Sequence, residues 1–135
     1  MKLRLRLLNA KGTSILEFLV VFPFLMFIFL VGIELARAWM TASEAQNAVR
    51  EGARVAVVTP IANDPIMTGT NRINALLLIS SLTPVAGPTV SCTPSCVPNA
   101  QVSASVTVQF QTLFPLFLPQ IGTFNIRQTA TMRYE

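Results

Sequence analysis

The chain has 135 residues, room for one small domain, with 52% apolar and 12% charged residues, an apolar excess and charge deficit that point to contact with lipid. Its formal charge of +4 is local: Lys2, Arg4, Arg6 and Lys11 precede Thr13, and the remaining six arginines balance five glutamates and Asp64. With no lysine beyond Lys11, one tryptophan and one tyrosine, no basic and aromatic surface for nucleic acid is present. The absence of histidine removes the commonest general base and metal ligand, and two cysteines are too few for a structural zinc site. The chain therefore reads as non-enzymatic, with no catalytic, metal-binding or cofactor-binding residues and no cofactor.

Residues 1–12 form a basic leader. Phe18 to Ile33 contain no charged side chain, and extension back through Gly12 brings the apolar run to the twenty or so residues that span a bilayer. The four positive charges ahead of it keep the N-terminus cytoplasmic and send the rest across the membrane. Only Glu17 interrupts the run. Pro23 removes one backbone hydrogen bond, so a kink or a melted turn is expected there.

Helical periodicity continues past the span. Leu35, Ala38, Ala42, Ala45, Val49, Gly52 and Ala56 alternate spacings of three and four, a heptad seam of mostly small residues suited to another helix. Glu34 with Arg37, Gln46 with Arg50, and Glu51 with Arg54 are spaced to pair on the exposed faces. A helix from Thr13 to Val58 is about 69 Å long, of which about 30 Å is bilayer. Thr59 and Pro60 end it, and a turn-rich connector containing Pro65 and Gly69 leads to a second, shorter helix over Asn71 to Leu82.

The period then changes to two. Val102, Ala104, Val106, Val108 and Phe110 share one strand face, and Phe124, Ile126, Ala130, Met132 and Tyr134 share another that is broken only by Gln128. The fold class expected is α+β: a long N-terminal helix, a short second helix and a small antiparallel sheet packed on the helix. The apolar segment Leu113 to Ile121 joins these strands and either tucks into the core, the favoured placement, or forms a contact patch. Cys92 and Cys96 flank a tight turn. In an oxidising compartment a disulfide there is favoured over a redox pair, because three residues intervene and no helix follows.

Three signals compete for the N-terminus. A cleaved secretory signal would use Ala36-Arg37-Ala38 and cut through a continuous helix, and an uncleaved anchor leaves Glu17 unexplained. The stretch Lys11-Gly12-Thr13-Ser14-Ile15-Leu16-Glu17-Phe18 resembles the processing site of type IV prepilins. Together with Pro23, the Gly32 to Ala38 block, the Asn47 to Arg54 block and the terminal Ala130-Thr131-Met132-Arg133-Tyr134-Glu135, it is similar to TadE-like proteins of the tight-adherence (Flp/Tad, type IVc) pilus system. That resemblance implies a minor pilin or pseudopilin cut between Gly12 and Thr13 by a prepilin peptidase. It further implies that Glu17 pairs with the new terminal amine of its own or a neighbouring subunit, fixing register. The implied partners are the peptidase, other pilin subunits and the inner-membrane assembly platform, and the implied location is the inner membrane with residues 35–58 and 59–135 extracytoplasmic. An uncleaved single-span envelope binding module is the alternative.

Overall fold

Residues Lys2–Val58 form one uninterrupted α-helix, α1. The structure, a computed structural model, describes residues 2–113 and 122–133, with side chains from Ser14 onward. Most of the apolar segment read as a joining loop, and Tyr134, lie outside the described residues. The helix continues through Pro23 without a melted turn. The proline removes only its own N–H from the ladder, and the bonds on either side carry the helix across.

Two compact units divide the chain, Met1–Ala36 and Arg37–Glu135. The first is the N-terminal part of α1. Its stretch beginning at Ser14 has a mean hydropathy of 2.6 in its most apolar window, none of it buried, and qualifies by length and composition as a membrane-crossing candidate.

The second unit contains the rest of α1, a 3-10 turn at Ile61–Asn63, helix α2 (Pro65–Ile79) and strands β1 (Pro84–Thr93), β2 (Gln101–Gln111) and β3 (Thr123–Arg133). It is α+β, as its two periodicities suggest. Helix α2 starts six residues earlier than periodicity indicates. Asp64, with φ 47°, accepts a hydrogen bond from the Met67 N–H at 3.1 Å, and Pro65 takes the first helical position. These residues make a helix start, an oxygen-bearing cap followed by a residue without an N–H to satisfy, where turn propensity alone suggests a connector. The C-terminus closes three residues before Leu82: Ser81 adopts φ 54° and the Leu82 N–H donates to the Leu77 carbonyl at 3.0 Å. This left-handed closure satisfies a terminal carbonyl before Pro84 is reached.

The sheet is antiparallel in the order β1-β2-β3. Strands β2 and β3 pair in unbroken register from Gln101 opposite Arg133 to Gln111 opposite Thr123. Val102, Ala104, Val106, Val108 and Phe110 are all buried, while the alternate residues from Gln101 to Gln111 are half-buried or exposed. β3 keeps the inward parity: Phe110 faces Phe124 with ring centroids 5.0 Å apart, and Gln128 sits opposite Val106. β1 is an additional edge strand that periodicity alone does not reveal. Its register shifts between Pro84 and Thr89, around Gly87 and Pro88, and prolines are accommodated at such an edge.

One core cluster joins Ala45, Ala48, Val49, Ala53, Ala56 and Val57 of α1 to Ile73 and Leu77 of α2 and the inner residues of the sheet. The buried face of α1 is wider than a heptad seam. Ala45, Ala48, Val49, Gly52, Ala53, Ala56 and Val57 form the broad stripe of a helix packed in a globular core. Of the seam residues, Ala45, Val49, Gly52 and Ala56 are buried, Ala38 and Ala42 are half-buried, and Leu35 is 71% exposed. Heptad spacing selects a line along the helix, whereas the sheet and α2 together cover an arc.

Candidate functional site

The residues that the prepilin resemblance singles out, Gly12, Thr13 and Glu17, lie on α1. Gly12 and Thr13 are within its helical backbone. Ser14 to Ile33 present exposed side chains all round, with Leu30 alone half-buried. Glu17 is therefore exposed on an apolar helix, and with Leu16, Val20 and Val21 it lines a shallow open depression. Next to Glu17, the Phe18 ring meets that of Phe22 in a tilted contact with centroids 5.4 Å apart. Thr13 and Glu17 are four positions apart, so their backbone positions lie about 6 Å apart along the helix axis. An amine created at Thr13 would thus lie one turn from the carboxylate.

A second carboxylate, Glu34, is spaced to pair with Arg37 on an exposed face, and the structure corrects that placement. Glu34 is 8% exposed, the one charged residue among those described that is buried. It is engaged in a polar or electrostatic interaction, and no buried side-chain N or O atom among the described residues lacks a partner. Its position next to the last apolar residues was visible in the sequence, but its burial left no periodic signal.

Beyond Ala36 the helix carries polar anchors. The Arg37 guanidinium lies over the Phe110 ring, 5.2 Å from its centroid, and the Thr41 hydroxyl donates to the Arg37 carbonyl at 3.1 Å. These side chains flank a groove whose far wall is Ser81, Leu82 and Thr83 with Gln109 to Gln111. Arg50 borders a separate groove with Trp39, Ala42, Ser43, Gln46, Asn47 and Gln128. Glu51 receives hydrogen bonds from both Nε and NH2 of Arg54, at 2.8 and 2.9 Å, and from Arg72 of α2 at 3.4 Å. The hydrogen-bonded Arg54 guanidinium holds the Glu51 carboxyl below its ordinary value; burial opposes this, and the charge of Arg54 and then Arg72 add smaller lowering effects. Glu51 thus links Arg54 on its own helix to Arg72 of α2.

Gly52 has a distinct role. A Cβ placed there would overlap Ile73 Cγ1 and come within 2.7 Å of Ile73 Cδ1 and 3.0 Å of the Gly69 carbonyl oxygen. Gly69 is under the same constraint, since its Cβ would lie 2.9 Å from both the Ala56 Cβ and the Gly52 carbonyl oxygen. The paired glycines let the α1 and α2 backbones approach closely. This is packing, and it accounts for the glycine in the AVREGAR block without a ligand.

Cys92 and Cys96 are joined by a disulfide, with S–S 1.97 Å and Cα–Cα 5.1 Å. It ties Cys92, near the end of β1, to the turn that follows the strand, and the Thr93–Pro94 peptide within its loop is cis. Beside it Thr93, Pro94 and Val97 to Gln101 face Thr131 to Arg133 across a depression. Among the described residues no three His, Cys, Asp or Glu side chains gather as a metal site.

No curated protein and no solved structure matches the chain. The segment from Gly12 through Arg54, which holds the apolar helix, Glu17, Glu34 and the Gly52 crossing, is where the chain matches the TadE-like protein family.

Proposed function

We propose that this chain is a non-catalytic, membrane-held subunit, a minor pilin or pseudopilin, that takes part in assembling a tight-adherence pilus. The TadE-like match suggests a Tad pilus-associated protein. The observation that carries the finer reading is the single carboxylate of Glu17 on a helix otherwise apolar and exposed all round from Ser14 to Ile33, five residues after Gly12.

In this reading residues 1–12 are a cytoplasmic leader, 13–34 span the inner membrane, 35–58 continue the helix outside and 59–135 complete the extracytoplasmic domain. A prepilin peptidase cuts between Gly12 and Thr13. Cleavage removes four cationic side chains and no anion, taking the formal charge from +4 to 4 − 4 = 0. A carboxylate at the centre of a bilayer costs about 2.5–3.5 kcal/mol on insertion scales, and less towards the interface. An opposite charge 4 Å away at an effective dielectric of 20 recovers about 4 kcal/mol, so one ammonium suffices to offset Glu17. Where that ammonium belongs to a neighbouring subunit, the pair sets the axial register of the two helices. Assembly partners are then other pilin subunits and the inner-membrane platform.

The test is Glu17→Gln in the native host. The variant is expected to remain in the membrane fraction, because removal of a charge does not hinder insertion, and to lose cross-linking to neighbouring pilin subunits and assembly into pili. Unchanged piliation would contradict a register role.

A further inference from the structure

Several polar side chains of the folded unit are committed within it. Glu51 takes Arg54 and Arg72, Arg37 lies over Phe110, and the Thr89 and Ser105 hydroxyls share a hydrogen bond at 2.8 Å. The groove between α1 and β3 is different. Trp39, Ser43, Gln46, Asn47 and Arg50 recur at helical spacing on one face of α1, and Gln128 closes the groove from β3. None of these six side chains makes a hydrogen bond, ion pair or ring contact with another described residue. Arg50 is exposed and uncommitted, whereas Arg54, one turn on, is tied to Glu51.

The groove has a volume of about 360 Å³, towards the lower end of the range for small-molecule sites. No acid lines it. Trp39, the sole tryptophan, is 77% exposed at one end, and Arg50 lies at the other, eleven residues or about 16 Å along the helix. Between them stand a hydroxyl and three carboxamides.

We propose that this groove binds a short acidic oligosaccharide, with one pyranose ring against the Trp39 indole, hydroxyls on the carboxamides of Gln46, Asn47 and Gln128, and a uronate carboxylate on the Arg50 guanidinium. The inference goes beyond a role in assembly and does not depend on removal of residues 1–12. An indole offers an apolar face to the C–H face of a sugar and keeps a polar N–H at its edge. Carboxamides both donate and accept hydrogen bonds, as neighbouring sugar hydroxyls do. The planar fork of a guanidinium matches a carboxylate. The length of the stripe requires more than one ring.

The lining also discriminates against other occupants. A lipid needs room for acyl chains, and the apolar part of the lining is Trp39 and Ala42 alone. A second copy has few acids to bring to Arg50: Glu51 is held by two arginines, Asp64 caps α2, and Glu34 is engaged.

Trp39 supplies the probe. The full chain, in a polyoxyethylene detergent that carries no sugar, is titrated with short oligomers of galacturonate and of mannuronate, read by tryptophan emission and by calorimetry. At least one oligomer is expected to bind saturably, with the same midpoint in both readouts. Methyl esterification of its carboxylates, or Arg50→Gln, should each weaken binding about tenfold or more, the loss of a charge-assisted hydrogen bond. Arg50 has no partner to lose, so the substitution leaves the fold intact. Arg127→Gln alters an exposed cation on the opposite face of β3 from Gln128, and should leave affinity unchanged. Four results would overturn the proposal: no saturable binding of either oligomer, equal weakening by Arg127→Gln, a response to phosphatidylglycerol in place of the oligomers, or Trp39 emission that shifts with protein concentration without sugar. The third would assign the groove to a lipid headgroup, and the fourth to a second copy.

Discussion

The same helix treats its apolar residues in opposite ways along its length. From Ile15 to Ile33 the side chains are large, with leucine, isoleucine, valine and five phenylalanines, and nearly all are exposed. From Ala45 to Val57 the apolar face is built of alanine, valine and glycine and is buried. Hydropathy alone would rank the first stretch as core. Large side chains maximise apolar area and suit a surrounding that supplies its own contacts, lipid or neighbouring helices, whereas small side chains let α2 and the sheet come close enough to make a core of a helix with few large residues.

The strongest way to break that contrast is to enlarge the buried face. Gly52→Leu would drive a side chain into Ile73 and the Gly69 carbonyl, and overpacking of this kind costs about 1–3 kcal/mol or more. Thermal unfolding of the detergent-solubilised protein is expected to show a fall in melting temperature comparable to that of Ile73→Ala, which removes a fully buried side chain at about 2–5 kcal/mol. Leu25→Ala in the exposed stretch removes similar volume and is expected to leave unfolding of the folded unit unchanged. An equal loss from Leu25→Ala would mean that the two stretches share one core.

A smaller effect tests the far end. Replacing both Cys92 and Cys96 with serine releases a short loop, for which chain entropy gives about 2 kcal/mol. Denaturant unfolding of oxidised and doubly substituted protein should differ by that amount or less, with the slope little changed. A much larger loss would assign the bridge a role in packing.

The smallest effect concerns the Glu51 cluster, where partly exposed pairs are worth about 0.2–1 kcal/mol. The Glu51 carboxyl is held below its ordinary value by Arg54, so its stabilising contribution is present above the unfolded-state pKa and is lost as pH falls through the lower folded-state value. Arg54→Ala should therefore lower stability slightly at neutral pH and flatten its decline on acidification, with the difference shrinking in high salt. A pH dependence identical to that of the unaltered protein would remove Glu51 from the account.

How legible each part was follows from the physics that fixes it. The inward face of β2 was legible to the residue, because one face is buried and one is not, and a period of two records that directly. β3 kept its parity even at Gln128, whose polar side chain occupies a core-side position opposite Val106. β1 was hidden by Pro84, Gly87 and Pro88, which lower strand propensity but are tolerated on an edge with shifted register. The start of α2 was misread because Asp64-Pro65 is both a turn signal and a cap followed by a first helical residue, and only the Met67 hydrogen bond separates them. The breadth of the α1 stripe depends on what packs against the helix, so heptad spacing could not give it, and the burial of Glu34 left no signal in charge position. Glu17 was conspicuous in the sequence as one carboxylate in an apolar run, and the role we propose for it rests on the need for an offset.

The central claim is that Glu17 acquires that offset when the leader is removed. Intact-mass measurement with N-terminal sequencing, on protein purified from a host expressing the cognate prepilin peptidase, tests it most directly. The account predicts a chain beginning at Thr13, with residues 1–12 absent; a chain still beginning at Met1 would contradict it.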